Sequence, residues 1–256
     1  MKLISLNIWG GKVYEPLMSF IGREAETTDI FCFQEVFHTT TEKTEFNGYR
    51  LNMFSELTSK LSEFNAFLAP AQDKFMLPQN FVDFDLSFGL AIFVRKNLKA
   101  SVDNMFVYGK RNSMVQGQPE TFPRNIQHIS LKASGKVLTV FNYHGLWKLG
   151  NKSDTPERLA VSEVIKTHMD SHKGGKIICG DFNLLPDTKS VAILEVNMLN
   201  LIKKFGIQST RSRLYTKDSL KFADYMIASK GIKIKSFEVP NITVSDHLPM
   251  VLEFDL

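Results

Sequence analysis

Polar side chains gather where apolar runs of this chain stop. Leu6-Asn7-Ile8, Cys32-Phe33-Gln34-Glu35, Cys179-Gly180-Asp181-Phe182-Asn183 and Val244-Ser245-Asp246-His247 each put a carboxylate or an amide at such a point. Oxygen donors of this kind suit Mg²⁺, which keeps several waters and needs only one or two protein carboxylates beside a substrate phosphate. Side chains at strand ends are able to converge on one face of a scaffold. Gly180 permits a close approach of backbone or ligand. Asp181 and Asn183 are two residues apart, so an extended chain aims both one way and Phe182 into the core. An Asx-type turn after a buried strand is the alternative reading of the same tetrapeptide.

Six positions taken singly carry chemistry or a structural role. His247, preceded by Asp246 and followed by an apolar strand, is an acid–base or phosphate-binding imidazole, or part of a solvated turn. His144 closes the run Leu138–Tyr143 and precedes Gly145 and Trp147. Arg124 sits within Phe122-Pro123-Arg124-Asn125-Ile126, where a buried guanidinium needs a carboxylate or a substrate phosphate. Asp224, inside an apolar strand, needs a hydrogen-bond donor, and an imidazole is a good one. Asn7 and Glu35 taken singly are compatible with local backbone bonding and simple exposure.

The elements that must hold these residues follow from periodicity. Lys2–Ile8 alternates as a strand does, residues 13–27 read as a helix, and Ile30–Phe33 as a buried strand leading to Gln34-Glu35. Leu51, Phe54, Leu57, Leu61 and Phe64 recur at helical spacing. Ala66–Leu68, Ser87–Arg95, Ser101–Val107, Phe122–Lys132 and Val137–Tyr143 read as strands, with Gly135 in the last turn. Asp154 or Thr155 caps a helix that has Pro156 and Glu157 in its first turn, runs to about Ser171 and is stopped by Gly174-Gly175. Lys176–Cys179, a short helix in Asp187–Asn197, and strands Ala223–Ala228, Ile232–Val239 and Leu248–Phe254 complete the order. Strands outnumber helices and several are close enough to pair antiparallel. Two packed sheets with helices outside are therefore expected, rather than a doubly wound parallel sheet.

Composition bounds the class. The 256 residues are 43% hydrophobic and 23% charged, with 21 phenylalanines, which excludes a disordered or fibrous chain. A single domain over residues 1–256 is expected, because no repeat, low-complexity tract or linker interrupts them. No apolar run has the length of a membrane span, and the N-terminus turns polar too early for a secretory signal. Cys32 and Cys179 lie in apolar runs and read as buried thiols, which suits a cytoplasmic monomer. No Cys/His cluster has zinc-ligand spacing, which argues against a structural zinc site. The net charge of +4 permits a polyanionic partner without requiring one.

Taken in order, Asn7, Gln34-Glu35, His144, Gly180-Asp181-Phe182-Asn183, Asp224-Tyr225 and Ser245-Asp246-His247 resemble the endonuclease/exonuclease/phosphatase superfamily of DNase I-like enzymes. Each motif is short, but together they span nearly the whole chain. The resemblance implies a four-layer α/β sandwich of two mixed, mostly antiparallel sheets flanked by helices. It also implies a Mg²⁺-dependent phosphoesterase, with Mn²⁺ a substitute. In that pattern Glu35 is the main metal ligand, with Asn7 and Asp246 completing or supporting the site. Asp181 positions or deprotonates water and Asn183 holds it. His247 binds the phosphoryl oxygen, and Asp224 orients His247. Arg124 matches a phosphate-contacting arginine, and His144 matches the mid-chain histidine of the DNase I and sphingomyelinase types. The carboxylate that supports that histidine in DNase I has no counterpart in Leu86–Leu90.

Nucleic acid is the first expectation for the substrate, with an endonuclease or exonuclease action. A lipid, inositol or other small phosphoester is the alternative. Lys148, Lys152, Arg211, Arg213, Lys217 and Lys221 would track a phosphate backbone, and Trp147 would stack on a base. The segment Lys74–Asp85 reads as a loop with exposed apolar residues and acids at Asp73, Asp83 and Asp85 that would repel DNA. Asp181 and His247 are expected at a solvent-open rim.

Overall fold

The computed structural model describes residues 1–78, 80–148, 151–216 and 220–256. In chain order its strands are β1 (Lys2–Asn7), β2 (Ile30–His38), β3 (Glu45–Phe46), β4 (Tyr49–Arg50), β5 (Phe64–Asp73), β6 (Phe75–Met76), β7 (Asn80–Phe81), β8 (Ser87–Arg95), β9 (Ala100–Tyr108), β10 (Arg124–Ala133), β11 (Lys136–His144), β12 (Gly175–Asp181), β13 (Met198–Asn200), β14 (Asp224–Ser229), β15 (Lys233–Glu238) and β16 (Met250–Asp255). The α-helices are α1 (Tyr14–Glu24), α2 (Met53–Lys60), α3 (Pro156–Ser171), α4 (Lys189–Glu195) and α5 (Leu201–Lys204).

Two six-stranded sheets run β15-β16-β1-β2-β8-β5 and β13-β14-β12-β11-β10-β9. Each holds one parallel pair, β1 with β2 and β11 with β12, and is otherwise antiparallel. The period-2 alternation of the sequence explains the layering. Leu3, Ile30 and Cys32 face inward and join Ile126, Val140 and Ile178 of the other sheet in one core. Their neighbours Ile4, Leu6, Phe31 and Phe33 face outward and pack on Leu17, Phe20, Ile21 and Leu57 of α1 and α2. Val161, Ile165 and Met169 of α3 cover the second sheet. The fold is thus the expected four-layer α/β sandwich.

Polar side chains pin the two sheets together. Asn142 donates to the carbonyls of Phe33 and Ala91 and accepts from Gln34 Nε2 at 2.7 Å. Gln127 and Asn125 donate to Phe67 and Ala69 carbonyls. Such bonds fix the register of one sheet over the other, since an unpaired amide there would cost about 1–3 kcal/mol.

Several boundaries differ from the sequence reading for physical reasons. The helical spacing that runs on to Phe64 ends at Lys60, where Leu61 leaves the helical region and Phe64 opens β5. Phe122 precedes β10 rather than starting it, because a 3₁₀ turn over Pro119–Thr121 comes first and Pro123 has no N–H for the ladder. The Lys74–Asp85 segment exposes Phe81, but Phe75 and Met76 are buried against Phe88 and Phe122. Asp73 is held by Arg111 and Asn112, and Asp85 by Thr40. The α3 cap is Thr155, whose hydroxyl accepts from Arg158 N–H, as one of the two expected alternatives requires. Cys32 and Cys179 are buried free thiols.

Candidate active site

The two parallel pairs end at the same place, and that placement assembles the site. Asn7 lies opposite Gln34 at the end of β1, His144 opposite Asp181 at the end of β11, and Asp181 opposite Asp224 across β12 and β14. Strand register alone therefore brings four of the expected residues to one edge of the facing sheets.

Glu35 reaches the site through a distortion. The pairing of β2 with β8 slips between Phe33 and Val36, and Glu35 adopts φ 59°. A bulge of this kind re-aims one side chain without ending the strand. Glu35 Oε1 accepts from Asn7 Nδ2 at 3.0 Å, and its Oε2 is buried with no hydrogen-bond partner. A buried carboxylate oxygen without a donor is costly unless a cation completes it. Burial raises the Glu35 carboxyl to about 7. These features fit a divalent metal at Glu35. The Asn7 amide behaves differently from a ligand here: its Oδ1 accepts from Trp9 N–H at 3.0 Å while Nδ2 bridges Glu35 and Asp181 at 3.0 and 3.1 Å. Asn7 thus supports the site by clamping two carboxylates together. Asp246 Oδ2 is paired with Arg211 at 3.0 Å.

Asp181 follows Gly180, which sits at φ 134°; a Cβ there would meet the Tyr143 carbonyl at 2.0 Å. Only glycine lets β11 and β12 approach so closely at this point. The next residues are not extended. Asn183 has φ 54° and its N–H donates to Asp181 Oδ1 at 2.9 Å. The Asx turn and the functional reading therefore coexist: the turn occupies Oδ1 and leaves Oδ2 facing Asn7, His144 and His247. Nε2 of His247 lies 3.4 Å and Nε2 of His144 3.7 Å from Asp181 Oδ2. Burial pushes the Asp181 carboxyl up, but His247, His144, Arg211 and Lys152 outweigh it and hold it below the ordinary carboxylate range.

His247 Nδ1 is bracketed by both Asp224 oxygens, at 2.8 and 2.9 Å. This geometry puts the Nδ1 proton between the two oxygens and fixes the ring's orientation. Burial and Arg211 press the imidazolium down, yet Asp224, Asp246 and Asp181 prevail and raise it. Asp181 and His247 are 2% and 3% exposed, so they form the floor of a pocket and not a solvent-open rim. The pocket encloses about 240 Å³. His144 lines it beside Glu35, 4.0 Å away, and burial, then Arg124, hold its imidazole neutral well below the usual range. Arg124, buried over the Phe122 ring with Nε unpartnered, lines the pocket as well, and burial lowers it to about 10.

Arg211 and Lys152 correct the sequence reading. Both were expected on basic loops that track a phosphate backbone, but both line this pocket. Arg211 lies against His247 Nε2, because the two residues form an isolated bridge that carries the side chain inward. Lys152 is 7% exposed and donates to the Phe222 carbonyl at 3.1 Å. Lys148 is held by Glu157 at 2.9 Å, Arg213 is exposed, and Lys217 lies outside the described residues. Much of the remaining wall is aromatic, with Trp9, Tyr49, Phe122, Trp147 and Tyr215 among its residues. The Arg-x-Arg spacing carried no signal for inward placement; only the long-range pairing with His247 supplies it.

A buried aspartate, an oriented imidazole, a carboxylate suited to a metal and three cations around one pocket are the make-up of a DNase I-like phosphoester hydrolase. The whole-chain comparison agrees: residues 4–247 match the model of the Endonuclease/Exonuclease/phosphatase family, and the chain belongs to that family. A mannosyl-6-phosphatase of Bacteroides thetaiotaomicron VPI-5482 has a similar fold, with a TM-score of 0.73 at 15% identity over 100% of both chains. The human nocturnin catalytic domain with bound sulfate is similar at a TM-score of 0.69 and 20% identity, covering 100% of this chain and 93% of that one. In sequence, a UPF0294 protein of Vibrio campbellii (strain ATCC BAA-1116) is 26% identical over 126 residues, 48% of this chain and 42% of the relative. The match thus spans less than half of that relative's length.

Proposed function

We propose that this phosphoesterase acts on a compact phosphoester, one whose phosphate enters the pocket while an apolar or aromatic part meets its walls. The observation that carries this is the convergence of Arg124, Lys152 and Arg211 on the same pocket as Glu35, Asp181 and His247. Cations that would follow an extended backbone are instead spent on one phosphate. Bidentate guanidinium geometry suits phosphoryl oxygens. The sulfate in the nocturnin structure supports a tetrahedral oxyanion in folds of this kind.

Mg²⁺ or Mn²⁺, held by Glu35 with Asp246 in support, would supply Lewis-acid stabilisation of the phosphoryl oxygen. The chain's own groups do the rest. Asp181 Oδ2 accepts a proton from the attacking water, which the Asn7 clamp and Asn183 turn hold it in place to do. His247 and Arg211 donate to the phosphoryl oxygens as negative charge builds, and Asp224 stabilises the charged ring. His144, neutral, stands beside both carboxylates, 4.0 Å from Glu35 and 3.7 Å from Asp181.

Nucleic acid remains the second reading, favoured by Trp9 and Trp147 at the pocket, which suit base stacking. A hydrolysis panel with Mg²⁺ separates the two: sugar phosphates, inositol phosphates and sphingomyelin against DNA and RNA oligonucleotides. Turnover of only the oligonucleotides, with affinity falling by a log–log salt slope of about −0.7 to −0.9 per phosphate, would replace the compact-substrate reading.

A further inference from the structure

Three imidazoles meet on the outer face of the second sheet, away from the pocket residues. His128 projects from β10, and His168 and His172 come from the last turn and C-cap of α3. Ring centroids are 4.7 Å (His128–His172), 4.8 Å (His168–His172) and 5.1 Å (His128–His168) apart. One ligand nitrogen of each lies within 4.8 Å of the other two. We propose that His128, His168 and His172 bind a borderline divalent transition ion of the Zn²⁺ type, which clips the C-terminal end of α3 to β10.

The hydrogen-bond accounting supports a ligand. His172 Nδ1 donates to the His168 carbonyl at 2.9 Å, which leaves the Nε2 lone pair free. A backbone carbonyl on the second ring nitrogen is the usual partner of a metal-bound histidine. That Nε2 lies 3.2 Å from His128 Nε2. Adjacent nitrogens around a tetrahedral ion with ~2.0–2.1 Å bonds are about 3.3 Å apart, so these two already stand at ligand separation. His128 is 6% exposed with Nδ1 unpartnered, and His168 Nε2 is also buried without a partner. The buried His168 Nε2 has no partner and the Nε2 atoms of His128 and His172 face each other, so a cation among them would engage all three. Imidazole selects Zn²⁺, Cu²⁺ or Ni²⁺ over Mg²⁺, so the site does not compete for the metal of the pocket. Asp103 pairs with His128 across β9 and β10, but its carboxylate does not join the three ligand nitrogens, which leaves the fourth position to a water. Sequence spacing conceals this site, because His168 and His172 are an i, i+4 helical pair and the third ligand comes from a distant strand.

The test is Zn²⁺ titration of the full chain carrying Asp181→Asn, with a chromophoric chelator as competitor and Mg²⁺ in excess. One Zn²⁺ per chain is expected, with Tm rising on addition. Adding His168→Gln and His172→Gln should weaken binding by more than the ~10–100-fold caused by losing an outer partner, while the same pair in the wild-type chain leaves Mg²⁺-supported turnover unchanged. Unchanged Zn²⁺ affinity in that variant, or no binding in its parent, would overturn the proposal. Cobalt provides a check that needs no histidine variant: Co²⁺ bound to the Asp181→Asn chain should show the intense visible bands of tetrahedral nitrogen ligation, and the weak spectrum of an octahedral aqua ion would equally refute the site.

Discussion

Replacing Lys152 by methionine should stabilise the protein and weaken its hold on phosphate. Burial is the main force on this ammonium, lowering it from 10.5 to about 8, against Asp181, Asp224 and Asp246, which raise it. At about 1.4 kcal/mol per unit, the charged form costs the folded state roughly 3 kcal/mol at neutral pH. Methionine keeps the apolar stem near the Tyr215 ring but gives up the 3.1 Å bond to the Phe222 carbonyl, a loss of about 1–2 kcal/mol. The net gain is ~1–2 kcal/mol, or a rise in Tm of roughly 2–8 °C for a chain of this size. The sign can be checked by pH. Between about 8 and 10.5 the unfolded chain keeps a proton that the folded chain has lost, so wild-type stability rises with pH across this window. The deficit of wild type relative to Lys152→Met is therefore full below pH 8 and closes toward 10.5. Thermal unfolding across that range measures it, and inorganic phosphate binding should weaken by ~10–100-fold in the variant, the loss of one charge-assisted bond. A destabilised variant with an unchanged pH response, or undiminished phosphate affinity, would refute the placement of a buried cation on the phosphate side.

The other expected outcomes concern the floor of the pocket. Activity should need Mg²⁺ or Mn²⁺, vanish with chelator and return on adding metal back; Glu35→Gln should raise the metal concentration required, and full turnover in excess chelator would remove the metal from the reaction. Asp181→Ala and His247→Ala should each lower kcat by roughly 10²–10⁴-fold, and near-wild-type rates in either would exclude that residue. Asp224→Asn should be non-additive with His247→Ala in a double-mutant cycle on kcat, because the two share one hydrogen-bonded pair; additivity would show that Asp224 acts elsewhere.

What could be read from the chain divides by range. Alternation and caps located most strands and α3 to within two residues, because those signals are local. Asn7, His144, Asp181 and Asp224 were legible because each sits at the end of such a strand, and strand register does the rest. The inward turn of Arg211 was not legible, because it depends on pairing with His247, 36 residues away. Lys152 reads as a solvated loop cation until the Phe222 carbonyl is placed beside it. The burial of Phe75 and Met76 likewise depends on Phe88 and Phe122, so an apolar run there cannot be told from an exposed loop by pattern alone. The Asx turn at Asn183 was visible as an alternative, and the structure shows that it shares Asp181 with the site instead of excluding it.

The charges around the pocket explain why so much unsatisfied polarity is tolerated there. Glu35, Asp181, Asp224 and Asp246 face Arg124, Lys152, Arg211 and a His247 ring whose protonated form is favoured. With every group charged, the four anions and four cations balance, and most are paired, Asp246 with Arg211 and Asp224 with His247. Glu35 keeps a bare oxygen on one side, and Arg124 a bare Nε on another. A divalent cation alone would satisfy the first and be repelled by the second; a phosphate alone would do the reverse. A metal–phosphate pair adds little net charge and meets both needs at once. On the proposed reading, the cost of holding these groups out of water would be offset when metal and phosphate bind together, an arrangement that favours preorganised charge in the transition state over tight binding of either component by itself.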